Sequence, residues 1–444
     1  MRNGTIFLVV ILPLSMGIAS AETKSTDTKK IPAEAVDARY KRAIELSHAD
    51  NHKEALAILR PLTVQYPDNY PVRRDYVVIS SWHGDCDESL DKYQSIKNRS
   101  NKESYLVTAV SECMAKTRHH DDALSLLREG KKNHPDDKDI QSSYDYLVKS
   151  IDLDRKPELE LSAGTNESDA GNREYFFSAK YSHQIADATR GFVRYYTTAA
   201  EDKEFDTEGL NRIGVGVMHW FNPKWYGEQE FSREIKHGGG DEGSTTTIIH
   251  HPTNLWELRG QYASFTEDVP LRAKELNIDS DRLTLAADFH SIDYKWEWSA
   301  AYSTYDFSDG NNRDTFYTAV GYGYLMKADI EERIIFGLYR SSNTLLNTVY
   351  YNPESDTSLT VTNRTTLVMD TQFVRHVDHI SLFVGHYNQQ GYSAKLTYGA
   401  GYEQEYQLND HQYFSWGAKY ASLVFDGERE SIFSLIANFS TKFL

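Results

Sequence analysis

The chain contains 444 residues with a formal net charge of −17 at pH 7, and 13% of its residues are aromatic. An acidic surface repels an anionic chain, which argues against nucleic acid as a ligand. Beyond the N-terminus no apolar run reaches the roughly 18 residues of a transmembrane helix, and the mean hydropathy is −0.60. This value suits a soluble protein and a transmembrane β-barrel equally, because barrel strands alternate lipid-facing and lumen-facing residues.

Residues 1–21 predict a cleaved secretory signal peptide. Arg2 supplies a positive charge, Ile6 to Leu14 form an apolar run, and Ala19-Ser20-Ala21 offers the small residues that a signal peptidase accepts. Cleavage before Glu22 would deliver the mature chain to a compartment outside the cytoplasm.

Residues 33–151 predict an array of helical repeats. The segments Glu54-Ala55-Leu56, Glu88-Ser89-Leu90 and Asp122-Ala123-Leu124 recur at a spacing of 34 residues, and two stretches end alike, at Tyr66-Pro67-Asp68 and His134-Pro135-Asp136. A helix–turn–helix unit of this length that closes with proline is typical of tetratricopeptide repeats. We expect about three repeats and a closing helix; the alternative is an ordinary helical domain.

Cys86 and Cys113 are the two cysteines of the chain. Outside the cytoplasm they would form a disulfide or remain as two buried thiols, and the sequence favours neither outcome.

Residues 157–444 predict an antiparallel transmembrane β-barrel. Here the pattern changes to strict alternation: Trp296, Trp298 and Tyr302 alternate with Glu297 and Ser299, and similar segments recur between turn signals. The segments predict sixteen strands, or fourteen if the pair beside residues 250–252 does not form. The fold class is therefore α plus transmembrane β, and sixteen strands would enclose an aqueous lumen.

The acidic excess lies entirely in this second part. Residues 1–156 hold 24 acidic and 24 basic residues, which leaves 41 acidic and 24 basic residues in 157–444. If the aromatic residues face lipid, the opposite set faces the lumen. This reasoning predicts an acidic, cation-attracting substrate path that contains Glu228, Glu230, Glu234, Asp288, Glu297, Glu403 and Glu405.

Several short segments also carry a family resemblance: Val269-Pro270-Leu271-Arg272 with Asp281-Arg282, Tyr305 to Arg313, Tyr350 to Glu354, Phe425 to Glu430 and, upstream, Asp75 to Asp85. They resemble segments of the poly-β-1,6-N-acetyl-D-glucosamine export porins, in the order in which that family carries them. The resemblance covers the whole barrel and the last few repeats. The repeat array is shorter than in members of that family.

This resemblance implies a non-enzymatic outer-membrane porin with its repeats in the periplasm. It would export a partly de-N-acetylated exopolysaccharide for biofilm matrix, without a metal or cofactor, and its repeats would bind a periplasmic polysaccharide deacetylase. De-acetylated glucosamine units are cations, which agrees with an acidic lumen. The alternatives are a non-transporting adhesive or structural barrel and an exporter of another polymer, such as a cellulose-type polysaccharide. A barrel hydrolase is disfavoured, since no Ser/His pair has a recognisable spacing.

Overall fold

The computed structural model describes residues 33–98, 102–201, 209–235, 240–267, 269–270, 273, 276–345, 348, 350–370 and 374–443. The predicted signal peptide, residues 1–21, lies outside these ranges. Within them, no helix is long and apolar enough to cross a membrane.

The described N-terminal part is a segment of seven helices, which we call the helical segment. Its helices are α1 (Ala33–His48), α2 (His52–Gln65), α3 (Tyr70–His83), α4 (Cys86–Tyr93), α5 (Ser104–Lys116), α6 (His120–Asn133) and α7 (Lys138–Arg155). The helices α2, α4 and α6 begin at His52, Cys86 and His120, 34 residues apart each time. Each packs on the helix before it, so the chain forms three helix pairs and a closing helix.

Small buried residues allow these helices to approach each other. Ala55, Ser89 and Ala123 occupy equivalent places near the starts of α2, α4 and α6, and all three have no exposed surface. A larger residue there would push the paired helices apart. Larger apolar side chains fill the space between pairs, among them Leu59 and Leu127.

A disulfide joins Cys86, the first residue of α4, to Cys113 in α5. It connects the second helix pair to the third. The sequence left the pairing open, because it depends on how helices from different repeats face each other.

Sixteen strands follow the helical segment in the described part of the chain. They are β1 (Glu158–Ser168), β2 (Arg173–Ala186), β3 (Thr189–Glu201), β4 (Leu210–Asn222), β5 (Trp225–Glu234), β6 (Glu242–His250), β7 (Trp256–Ser264), β8 (Ser280–His290), β9 (Trp296–Phe307), β10 (Asn312–Met326), β11 (Ile330–Asn343), β12 (Ser355–Asp370), β13 (Arg375–Gln389), β14 (Lys395–Asn409), β15 (Gln412–Phe425) and β16 (Glu428–Lys442).

Each strand pairs antiparallel with its neighbours in the chain, and β1 pairs with β16 to close the barrel. Closure leaves no strand with unpaired backbone groups at an edge. The predicted fold class is confirmed with sixteen strands rather than fourteen, since β6 and β7 form on either side of residues 251–255.

The outer face of the barrel wall is apolar. On the outer face, large apolar side chains stay exposed, such as Ile185, Phe221 and Leu382, which are 66%, 66% and 60% exposed. An apolar surface of this extent around a closed barrel is the surface that lipid covers.

The two rims of the barrel differ in the length of their strand connections. The helical segment continues from Arg155 directly into β1, so it lies at the rim where β1 begins; we call this the helix-side edge and the opposite rim the far edge. Short connections such as 187–188 and 410–411 lie at the helix-side edge, whereas the connections 265–279 and 344–354 lie at the far edge.

Candidate functional site

The register of the strands determines which side chains face the lumen. Tyr226, Glu228 and Glu230 line a cavity inside the barrel, and directly opposed residues of neighbouring strands share a face. Glu228 lies opposite Thr247, and the same face continues strand by strand to Asp288 and Glu297. Carried further round the barrel, it reaches Glu403 and Glu405. The seven acidic residues named from the sequence therefore all lie on the inner face.

Glu230 belongs to a three-residue ion cluster. The guanidinium of Arg194 on β3 donates to both carboxylate oxygens of Glu230, at 2.7 and 3.0 Å, and to both oxygens of Glu267, at 2.7 and 2.9 Å. Glu267 follows β7 in the connection at the far edge, so this connection folds inward over the lumen. Glu230 is only 5% exposed, and bidentate pairing of this kind holds both carboxylates in place.

Glu228 and Glu234 lie on the same strand as Glu230. Glu228 is more open: it accepts a hydrogen bond from the Tyr226 hydroxyl at 3.0 Å and lies 3.6 Å from the ammonium group of Lys180. Glu234 is buried at the far edge, opposite Arg212, whose guanidinium donates to the carbonyl oxygen of Phe265. Arg212 thus also holds the inward-folded connection after β7.

A second cluster surrounds Glu297 near the helix-side edge. Arg333 on β11 lies 3.1 Å from one oxygen of Glu297, and Arg364 on β12 lies 3.6 Å from the other. Arg333 is 4% exposed and also pairs with Glu331 at 2.6 Å. Asp288 lies exposed on the neighbouring strand, opposite Ser299.

Glu403 and Glu405 lie across the lumen on β14. The imidazole of His379 on β13 lies 3.2 Å from the Glu405 carboxylate. Glu403 lies directly opposite His379 in the register and is exposed to the lumen.

The inner face also carries many basic residues, which the reasoning from the sequence did not include in the site. They include Lys180, Arg190, Arg194, Arg212, Arg259, Arg282, Arg313, Arg333, Arg364, Arg375, Lys395, Lys419 and Lys442. The wall is therefore mixed in charge, and at least four of the seven predicted acidic residues have a basic or imidazole partner. The same alternation that selects the acids would have selected these residues.

A defined cavity lies inside the barrel beside β3–β8. Its volume is about 460 Å³, and its lining includes Arg194, Tyr226, Glu228, Glu230 and Glu267. This size lies within the range of about 300–1,000 Å³ that is typical of ligand sites. The combination of carboxylates, guanidinium groups and an aromatic ring suits a polar ligand with hydroxyl or ammonium groups.

The segment from Tyr305 to Arg313 organises the far edge. The Asn311 side chain is fully buried and donates to Asn343 and to the Tyr350 hydroxyl, each at 3.1 Å, and it accepts from the backbone of Leu345 at 3.1 Å. Tyr350 in turn packs with Phe307, Val269 and Ala273. These residues join the β9–β10 turn to the connections after β7 and β11.

No group of three or more His, Cys, Asp or Glu side chains has metal-site geometry among the residues that the structure describes. The adjacent His119 and His120 lie at the start of α6, where His119 precedes the helix.

Among solved structures, one polysaccharide secretin barrel shares this fold, and two other matches are weaker. A solved structure named "Bacterial polysaccharide outer membrane secretin" matches with a TM-score of 0.60 and 18% identity, and the match covers 65% of this chain and 99% of that one. Pseudomonas aeruginosa OprD matches at a TM-score of 0.38 and 10% identity, over 65% and 95% of the two chains. A mutant of the Rh. blastica porin matches at 0.35 and 11%, over 64% and 99%.

No curated protein matches the chain significantly. The family described as the PgaA membrane beta barrel domain matches residues 156–443. That range is more than half of the chain and spans β1 to β16. The sixteen-stranded closed barrel places the protein in the outer membrane. The chain belongs to the PgaA membrane β-barrel domain family.

Proposed function

We propose that this protein is an outer-membrane porin that exports a polysaccharide, and that the polymer is a partly de-N-acetylated poly-β-1,6-N-acetyl-D-glucosamine. The solved structure that matches with a TM-score of 0.60 is named as a polysaccharide outer membrane secretin, which supports the class of cargo. The chemistry of the inner face supports the particular polymer, together with the family resemblance of the short segments described above.

The observation that carries this proposal is the spread of carboxylates along the inner face. Glu297 and Asp288 lie near the helix-side edge, Glu228 and Glu230 lie further along β5, and Glu234 ends that strand at the far edge. A chain with spaced ammonium groups would meet the accessible carboxylates of Asp288, Glu297 and Glu228. The buried Glu230 and Glu234 would attract it from within the wall. A unit charge interacts with another at 4 Å by about 1 kcal/mol in water, so each contact attracts the chain without trapping it.

The basic residues of the inner face weaken the attraction between the carboxylates and the polymer, so that the polymer can be released. Because Arg194 and Arg333 partly neutralise their carboxylate neighbours, a polymer ammonium group competes with a partner already present. Conduction needs sites that bind strongly enough to admit the cargo and weakly enough to release it. The N-acetylated units are neutral, and guanidinium groups donate hydrogen bonds to their carbonyl and hydroxyl oxygens.

We further propose that residues 33–151 are tetratricopeptide repeats in the periplasm, between a signal peptide at 1–21 and the barrel at 157–444. The repeated helix pairs and their 34-residue spacing support this assignment. A short array of this kind has room for one partner, and we propose the periplasmic deacetylase that prepares the polymer. The protein itself would act as a passage and not as an enzyme.

Ion selectivity in planar bilayers tests the role of the carboxylates. The variant Glu228→Gln/Asp288→Asn/Glu403→Gln removes three inner-face charges that make few structural contacts. At about 1 kcal/mol per charge, each substitution should lower the local cation concentration up to roughly fivefold, and the cation preference of the channel should fall.

The matched control removes three carboxylates from the outer face, in the variant Glu167→Gln/Glu242→Gln/Asp314→Asn. By register these side chains point away from the lumen. The control should keep the selectivity of the native protein. An equal loss of selectivity in both folded variants, or no loss in the first, would contradict the proposed path.

A further inference from the structure

The helical segment touches the helix-side edge at several places. Its contacts involve the β2–β3 turn, the β4–β5 turn, the β6–β7 connection, the β8–β9 turn, the β14–β15 turn and the end of β16. In the closed order of strands these places form one continuous arc, from β14 through the β16–β1 junction to β9. The segment is therefore docked on the rim and does not hang from β1 alone.

One contact of this arc reaches the opening of the lumen. Arg118 lies in the turn between α5 and α6, in the left-handed conformation (φ 62°), and its guanidinium carbon lies 3.9 Å from the ring centroid of Trp220. Trp220 lies opposite Tyr226 in the register and shares its inward face. Its ring also contacts Tyr226 at 5.0 Å and stacks with His251 at 5.9 Å. Arg118 thus occupies an aromatic surface at the mouth of the barrel.

The second set of contacts comes from Gly84, in the turn between α3 and α4, and from Asp87, in the first turn of α4. The Asp87 carboxylate lies 3.3 Å from the Lys224 ammonium group and accepts from the backbone of Asn254 at 2.9 Å. The Asn254 amide donates to the carbonyl of Gly84 at 3.0 Å. A side-chain carbon added at Gly84 would lie 3.4 Å from Cγ2 of Ile292, so the Ile292 side chain in the β8–β9 turn packs beside Gly84.

Helix α7 fixes the other end of the arc. Asp154 lies 3.4 Å from Lys442 of β16, and Arg190 of β3 donates to the carbonyl of Lys156 at 3.0 Å. Lys149 pairs with Asp410 of the β14–β15 turn. Contacts at both ends and in the middle hold the helical segment across the rim.

The β10–β11 turn differs from the turns of the arc. The backbone N–H of Lys327 donates to the carbonyl of Ile330, and the backbone N–H of Val368 in β12 donates to the carbonyl of Asp329. Among the described residues, this turn makes no hydrogen bond, ion pair or ring contact with the helical segment. Directly inside it lies the cluster of Glu331, Arg333 and Glu297.

We propose that the helical segment is a fixed collar on the helix-side edge and that the cargo enters the lumen sideways, beneath β10 and β11. The collar closes the arc from β14 to β9 through its contacts with the turns. The opening at β10–β11 leads to inner-face carboxylates and guanidinium groups that suit an extended chain with hydroxyl and ammonium groups. Only the nature of that chain rests on the proposed function; the position of the opening does not.

Thiol labelling of the full chain tests the collar. The two native cysteines are joined in a disulfide, so an introduced cysteine is the reactive thiol. Ile292→Cys lies under the collar and Asp329→Cys lies in the proposed opening, both in short turns. Adding Asp87→Ala/Arg118→Ala removes contacts at two places, and the labelling rate at Ile292→Cys with a maleimide should rise by about tenfold, the factor that corresponds to 1.4 kcal/mol. The rate at Asp329→Cys should not change.

A second measurement tests the opening and does not need the Asp87→Ala/Arg118→Ala substitutions. A polyethylene glycol maleimide attached at Asp329→Cys should lower single-channel conductance severalfold. The same tag at Asp187→Cys, in the β2–β3 turn of the docked arc, should leave conductance unchanged. Equal labelling responses at the two turns would overturn the collar, and an equal effect of the tag at both positions would overturn the lateral opening. Neither result depends on which polymer the protein exports.

Discussion

At the scale of single residues, the lumen is built from ion clusters whose members come from distant parts of the chain. Alternation along one strand was enough to place Glu228, Glu230 and Glu234 on the inner face, because the side-chain period of a strand is two. The alternation does not predict which basic residues form ion pairs with these carboxylates. Arg194 is 36 residues from Glu230 and 73 from Glu267, and contacts over such separations depend on strand register and on the inward fold of the connection after β7.

Removing the charge of Arg194 should raise the cation selectivity of the channel. Arg194→Ala leaves Glu230 and Glu267 without their common cation, so the cavity gains net negative charge and the cation selectivity of the channel should rise. Breaking a buried pair of this kind costs on the order of 3–5 kcal/mol, and the connection after β7 should become more sensitive to protease.

Reversal potentials in a salt gradient measure the selectivity of the Arg194 variant. Arg194→Lys should restore most of the native value, because it keeps the charge. Arg233→Ala removes an exposed arginine from the outer face of β5 and serves as the control. A lower cation preference in folded Arg194→Ala would show that this cluster does not face the conducting path.

At the scale of elements, the period of the apolar pattern separates helix from strand, and the change near Pro157 predicts the boundary between the helical segment and the barrel. The 34-residue spacing in the sequence also predicts the interval between α2, α4 and α6, which begin 34 residues apart. The disulfide between α4 and α5 was not predictable, because two cysteines in different repeats meet only when the helix pairs stack. The docking of the helical segment was missed for the same reason: Arg118 and Asp87 look like ordinary surface residues.

Glu103 connects two helix pairs and makes their stability depend on pH. Burial opposes its ionisation, but Tyr70 and Arg74 donate hydrogen bonds to it at 2.7 and 2.8 Å, and the balance lowers the pKa of Glu103 below its ordinary value of 4.5. A carboxylate with a lowered pKa contributes stability above its ordinary pKa and loses it as the pH falls through the lowered value.

Glu103→Gln should therefore destabilise a fragment of residues 22–156 by about 1 kcal/mol at neutral pH. The difference from the native fragment should disappear at acidic pH, below the lowered pKa. Thermal unfolding followed by circular dichroism measures both, and the fragment should give a helical spectrum. Glu112→Gln, at an exposed position of α5, is the control. A β-rich spectrum, or a difference that persists in acid, would contradict this account of the helical segment.

At the scale of the whole molecule, the helical segment is docked on one rim of the closed barrel. The closed barrel provides a wall through the outer membrane, inner-face charges lie along that wall, and the helical segment covers much of the helix-side edge. The barrel was predictable because sixteen segments of alternating side chains follow one another, separated by turn residues. The mixed charge of the wall was underestimated, because net charge counts residues in the connections and on the outer face together with those that line the lumen.

The proposed route predicts what happens in a cell that makes the polymer but lacks its own exporter. The native chain should restore extracellular poly-N-acetylglucosamine. A variant without residues 33–151 should insert and conduct ions but export little polymer, because it has lost both the proposed partner site and the collar.

The most direct test of the central claim is the amount of extracellular polymer that such cells release with the native chain, compared with the inner-face variant Glu228→Gln/Asp288→Asn/Glu403→Gln. Folded barrel in the outer membrane is quantified in each strain, and the outer-face variant is the control. We predict that the native chain and the control restore export equally and that the inner-face variant restores clearly less. Export that is equal in all three, or absent with the native chain despite an inserted and conducting barrel, would contradict the account.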